Sequence, residues 1–147
     1  MTPLTIAIGA DHAGFETKEK IKKFLKEAFP GTKVIDSGTH SNDSVDYPDF
    51  AHQVASQVAN EIVEAGILIC GSGNGVCITA NKHKGVRAAL CWTKELAALS
   101  RLHNNANVLC IPARFVSHET VNEMVEAFMN TEFEGGRHAK RADKIEL

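Results

Sequence analysis

Cys70 stands at the head of a glycine-rich run, Gly71-Ser72-Gly73-Asn74-Gly75. Three glycines at alternate positions let consecutive backbone N–H groups converge on one small anion. A thiol at the mouth of such a cradle is a candidate for a reactive role. A free cysteine is only a few per cent thiolate at neutral pH, so that role calls for the positive end of a following helix and a nearby hydroxyl such as Ser72. The spacing GxGxG, rather than GxGxxG, disfavours a dinucleotide site. The loop follows the third strand-like run rather than the first, and Cys91 stands where an acidic ribose ligand would be expected. No Gly-Lys-Ser/Thr follows, which excludes a P-loop. An oxyanion cradle remains.

Three other groups carry chemistry. Asp11 and His12 are adjacent, just ahead of a helical pattern. Asp11 alone reads as a helix N-cap, but a cap does not account for the histidine beside it, and together the two can move protons between sugar oxygens near neutral pH. His103 and Asn104 close a helical segment; the macrodipole alone would justify a histidine there, and the asparagine could bind hydroxyls. Near the C-terminus Arg137 and Arg141 are four apart, so a helix sets them on one face, where two guanidiniums can clamp a phosphate. A charged tail is commonly a solvated face, yet Gly135-Gly136 marks a defined turn into this segment. Arg114 is a further anion ligand candidate. His40, His52, His83 and His118 show no metal-ligand spacing such as HExxH, so no metal and no cofactor are expected.

The elements that position these groups alternate. Strands are expected at Leu4–Gly9, Lys33–Asp36, Gly66–Cys70, Val86–Cys91 and Val108–Ile111. Helices are expected at Phe15–Phe29, Asp49–Ala65, Glu95–Leu102 and Ser117–Met129, with a short one after the glycine loop. The first of these carries an apolar stripe with lysines opposite. The polar segment Ser37–Asp49 is longer than a connector needs. This alternation implies an α/β fold of three layers, α/β/α, with a five-stranded parallel sheet; a Rossmann-like strand order of 2-1-3-5-4 is expected. Ligands in such sheets bind outside the C-terminal strand ends where the strand order reverses, which puts the loops after the strands in question.

The whole chain, 147 residues and 15.9 kDa, suits one domain, with 131–147 as a tail contributing to a phosphate site or a subunit interface. Lysine and arginine total 16 against 18 acidic residues, so there is no net positive field for nucleic acid or an anionic membrane. No apolar run approaches the roughly 20 residues of a membrane span. The N-terminus lacks a signal-peptide pattern, and the expected address is the cytoplasm. Four cysteines without a CxxC pair read as reduced thiols.

Taken together and in this order, the motifs resemble the ribose/galactose isomerase family, in particular ribose-5-phosphate isomerases of type B. They are GADHAGF at Gly9–Phe15, DYPDFA at Asp46–Ala51, ILICGSGNG at Ile67–Gly75, TANKHKGVRAAL at Thr79–Leu90, SRLHNNANVL at Ser100–Leu109 and FEGGRHAKR at Phe133–Arg141. The resemblance implies a metal-free aldose–ketose isomerase acting on ribose 5-phosphate and ribulose 5-phosphate through an enediolate. It implies Cys70 as the base between C1 and C2, assisted by Ser72, with the amides of Gly71, Gly73, Asn74 and Gly75 holding the enediolate. Asp11 would relay protons between the two oxygens, and His103 would open the furanose ring. Asn104, Asp46 and Tyr47 would contact the sugar, and His12, Arg114, Arg137 and Arg141 the phosphate. Homodimers, or dimers of dimers, with sites drawn from two subunits are implied as well. Some relatives carry a glutamate base just after the glycine loop. Val76 stands there and cannot accept a proton, which groups this chain with the cysteine type. The alternatives are a hexose 6-phosphate substrate such as allose or galactose 6-phosphate, a non-catalytic phosphometabolite-binding module, or a redox-sensing Cys70.

Overall fold

Alternate residues along each central strand face opposite ways, and both sets are apolar here. Ile6, Ile8, Ile67, Ile69, Leu109 and Ile111 enter one core, while Ala7, Leu68, Cys70, Val108 and Cys110 enter the other. A sheet apolar on both faces must be covered on both. In the computed structural model, which describes residues 2–147, helices do this. The strands are β1 (Thr5–Ala10), β2 (Lys33–Asp36), β3 (Ala65–Cys70), β4 (Ala88–Leu90) and β5 (Val108–Pro112), all parallel, in the order β2-β1-β3-β5-β4. This is the expected α/β architecture and order. Helices α1 (Phe15–Ala28), α4 (Lys94–Asn104) and α5 (His118–Asn130) cover the isoleucine-rich face, and α2 (Tyr47–Ala59) and α3 (Asn74–Ala80) cover the other. The last helix, α6 (Arg137–Asp143), packs on α4. No helix among the described residues is long and apolar enough to cross a membrane.

Some boundaries depart from the periodicity. The helix expected to reach Ala65 stops at Ala59, where the amide of Asn60 bonds the Ser56 carbonyl and Glu61 turns at φ 58°. The helix expected to stop at Leu102 runs to Asn104, and Asn105 ends it in the left-handed conformation at φ 49°. His103 and Asn104 therefore belong to its final turn. The fourth strand is shorter than expected because Val86 and Arg87 are held by turn and side-chain bonds, with the Arg87 amide donating to Asn107 Oδ1 at 2.7 Å.

The lysine face of α1 is not wholly solvated. Lys18 is 0% exposed, and its Nζ donates to Asp36 Oδ2 at 2.6 Å and Glu19 Oε2 at 2.9 Å; Lys22 reaches the same Asp36 oxygen at 2.8 Å. Asp36 Oδ1 accepts the Gly38 amide at 2.9 Å, and Gly38 and Thr39 then exchange backbone bonds with Ala10, both 2.8 Å. A buried ammonium thus fastens the segment that flanks Asp11. The two lysines and the Gly38 amide hold the Asp36 carboxyl at about 2, against the pull of its burial. A carboxyl depressed in the folded state stabilises the fold above its unfolded value near 4 and loses that contribution as pH falls through 2. Denaturation midpoints should therefore decline between about pH 4 and 2. Asp36→Asn should lower stability at neutral pH and flatten that decline. A decline of equal size in the variant would assign it to other groups.

Candidate active site

The registers Ala10↔Ile69 and Cys70↔Pro112 bring the C-terminal ends of β1, β3 and β5 side by side. From β1 the chain turns to β2 on one side, while β3 lies on the other, so the order reverses between β1 and β3. At this switch point is a cavity of about 610 Å³ lined by Asp11, His12, Ala13, Tyr47, Cys70, Gly71, Ser72, Gly75, Arg114 and Phe115.

Cys70 ends β3 and is 5% exposed, its carbonyl accepting the Ala113 amide at 2.9 Å. Gly73 turns the loop into α3 at φ +75°, a conformation that favours glycine. Gly75 is required by its neighbour: a Cβ there would lie 2.5 Å from Tyr47 Cε1, so the tyrosine ring closes flat over the loop only because no side chain intervenes. Arg114 lies across Gly71, its Nη1 3.3 Å from where a Cβ would be. Ser72 Oγ accepts the Asn74 amide at 3.2 Å, so Asn74 is not a free oxyanion donor. The cavity is faced by Gly71, Ser72 and Gly75, with Gly73 and Asn74 outside it.

Asp11 does not cap α1; Gly14 occupies that position. Instead Asp11 Oδ1 accepts the amides of Ala13 at 3.0 Å and Gly14 at 3.2 Å, which fixes the carboxylate and leaves Oδ2 for a ligand. His12 Nδ1 accepts the Val45 amide at 3.2 Å. A ring that accepts at Nδ1 carries its proton on Nε2 when neutral, so His12 presents an N–H donor. The long polar segment 37–46 thereby orients a histidine. Asp46, at the N-cap of α2, does not line the cavity, whereas Tyr47 does.

His103, Asn104, Arg137 and Arg141 do not reach this cavity. α4 runs antiparallel to the strands, and its eleven residues carry the chain about 16 Å toward their N-terminal ends. There the Leu102 carbonyl accepts the Glu134 amide at 3.1 Å, and Asn104 borders a separate groove of about 540 Å³ with Arg87, Ala106 and the C-terminal Ile145–Leu147. Arg137 and Arg141 open and close one turn of α6 beside α4, as their spacing predicts. His103, Glu134 and His138 approach one another, with donor atoms within 4.8 Å. The two imidazoles stack with planes only 13° apart, however, so their in-plane lone pairs do not converge on one ion. Sequence spacing shows neither this cluster nor Phe115, which is 61% exposed and packs on Trp92 with centroids 5.4 Å apart; an exposed aromatic after a strand leaves no periodic signal.

The other cysteines are free and lie off the cavity. Burial raises Cys91 to about 11 and pushes Cys110 well up, while a hydrogen bond from Cys110 lowers Cys77. Of the four, only Cys70 lines this cavity.

Residues 6–145 match the model of the Ribose/Galactose Isomerase family. The chain is 46% identical to ribose-5-phosphate isomerase B of Escherichia coli K12 over 140 residues, covering 95% of this chain and 93% of that one. The solved ribose-5-phosphate isomerase B of Clostridium thermocellum superposes with a TM-score of 0.93 at 47% identity, over 96% of this chain and 94% of that one. The Mycoplasma genitalium enzyme, solved with bound ribulose-5-phosphate, gives 0.90 at 47% identity, over 96% and 93%. With its fold, its loop motifs and nearly its full length shared, the chain belongs to the ribose/galactose isomerase family.

Proposed function

We propose that this chain is an aldose–ketose isomerase that interconverts ribose 5-phosphate and ribulose 5-phosphate. The observation that carries this reading is Cys70 opening onto one cavity with Asp11, His12 and Arg114, in a chain about as similar to a relative solved with ribulose-5-phosphate as to other type B isomerases. In the open-chain aldose the Cys70 thiolate removes the C2 proton, and the electron pair moves through the new C1–C2 double bond to O1. The amides of Gly71, Ser72 and Gly75 face the developing enediolate; each well-aimed donor of this kind is worth about 3 kcal/mol. Asp11, clamped through Oδ1, passes a proton between O1 and O2, and the thiol returns its proton to C1. His12 Nε2–H and Arg114 hold the phosphate.

The remaining groups enter from a second copy of the chain. Leu96, Leu99 and His103 fall at i, i+3 and i+7 on α4, one stripe, and both leucines are exposed together with Trp92 and Phe115. An apolar stripe of this kind calls for a partner. A two-fold axis across it packs the two α4 helices antiparallel and brings His103, Asn104 and the α6 arginines of each copy to the Phe115 side of the other's cavity. The tail, 131–147, then completes the phosphate site, with Arg137 and Arg141 as the clamp. The four free thiols suit a reducing compartment such as the cytoplasm.

Isomerisation of ribose 5-phosphate without added metal tests the reading, with allose and galactose 6-phosphates for comparison. A kcat/KM on either hexose phosphate above that on the pentose would overturn it. Arg137→Ala should raise KM for the sugar phosphate about tenfold or more, since a charge-assisted bond to an anion contributes roughly 1.5–3 kcal/mol, and leave the melting temperature unchanged. An unaltered KM would remove the tail from the site.

A further inference from the structure

His138, in the first turn of α6, is 6% exposed, and its ring centroid lies 4.2 Å from that of His103 with nearly parallel planes. Its Nε2 is closed to solvent and has no hydrogen-bond partner; Glu134 Oε2 stands 4.0 Å away, beyond bonding reach. Buried polar nitrogens are nearly always paired, so an orphan calls for an explanation. What this ring does engage is its flat face, against His103.

The surroundings of that ring disfavour its charged form. Burial, then the neighbouring His103, and also Arg137 and Arg141 disfavour a proton on His138, outweighing the pull of Glu134. The flat ring stacked under His103 fixes its plane. Without the stack, the terminal torsion of a half-buried histidine at a helix end is broad and roughly two-fold. An acid must hold its N–H within about 2.6–3.2 Å of the oxygen it protonates, so orientation about that torsion governs how often His103 is productive.

We propose that His138 is a positioning residue, whose buried ring stacks on His103 and holds it in the orientation that protonates the ring oxygen of the cyclic sugar. This rests on the ring-opening role given to His103 above. In that step the C1–O4 bond breaks and O4 takes the proton from His103. The anomeric hydroxyl loses its proton to water as C1–O1 becomes a carbonyl. No redox change occurs. Ribulose 5-phosphate has O5 esterified and cannot close a furanose ring, so exchange of its C1 proton through the enediolate involves no ring step.

The test is kcat and KM in both directions for His138→Ala and His138→Phe. Alanine should lower kcat from ribose 5-phosphate about tenfold at a steady KM, with an equal fall of kcat/KM in the reverse direction as the fixed equilibrium constant requires, while altering the exchange of solvent deuterium into C1 of ribulose 5-phosphate less than about threefold. Phenylalanine, which keeps the flat face and lacks the nitrogens, should restore the aldose direction to within about twofold. If alanine prevents folding, His138→Leu, apolar but not flat, takes its place with the same expected asymmetry. A loss of the deuterium exchange equal to the loss of turnover, a raised KM for ribose 5-phosphate (the mark of a phosphate ligand), or a phenylalanine variant as impaired as alanine would each overturn the inference. His103→Ala separates the two levels. If it leaves the aldose direction at the wild-type rate, the ring-opening role itself falls. If it slows that direction and His138→Ala does not, the stacking role alone is wrong.

Discussion

Cys70→Ala is expected to lower kcat on ribose 5-phosphate by about 10³-fold, within the range that a positioned general base contributes. The chain should still fold. The lost sulfur lies at the edge of the core cluster against the cavity, so the stability cost should be near the ordinary ~1 kcal/mol of a point substitution. The effect is large because no other group can take over at that place: Val76, after the loop, is apolar and fully buried, and Asp11 is fixed by two amides. Serine should not rescue, since a hydroxyl is a far weaker acid than a thiol and supplies almost no anion at neutral pH. Residual activity would come from the cradle and the phosphate clamp, which orient and stabilise without a base. Steady-state kinetics together with loss of solvent-deuterium incorporation into the product would read the effect directly. Turnover at the wild-type level in Cys70→Ala would assign the proton transfer to another group, with Asp11 the next candidate.

Two inactive variants should restore each other. Cys70→Ala and His103→Ala remove groups at opposite ends of the strands, which one chain cannot bring together. If each site combines Cys70 from one copy with His103 from another, random hybrid dimers contain one intact site and one doubly defective site. Half of the dimers are hybrids, so co-expression, or mixing after dissociation and reassociation, should recover about one quarter of wild-type activity. The gain is large because each parent is nearly dead. Failure to recover any activity, with hybrids verified by mass, would place all the catalytic groups in a single chain and refute the shared site. A charge on the α4 stripe, Leu99→Glu, should abolish the recovery along with the dimer.

The three central strands were legible because they are apolar on both faces and stop at or beside glycine or proline, and the order 2-1-3-5-4 agrees with the structure. Helix ends were less so. Asn60-Glu61 and Asn105 stop or extend helices through backbone bonds and left-handed turns that periodicity does not register. Lys18 looked like one more solvated lysine, since nothing local announces that a carboxylate 18 residues away will enclose its ammonium.

The amino-acid sequence by itself determined the chemistry available to this protein. Cys70 leads a glycine loop, Asp11 and His12 follow β1, and Arg114 follows β5; parallel β/α order then brings the C-terminal ends of those strands together, because every crossover returns to the same edge. What the tertiary structure decided was which of these groups meet. It joined Asp11, His12, Tyr47, Cys70 and Arg114 around one cavity, and it sent His103, Asn104 and the α6 arginines to the other edge. The physical reason is the direction of α4: a helix following a strand must run back antiparallel to it, so residues at its last turn end a full sheet-length from the thiol.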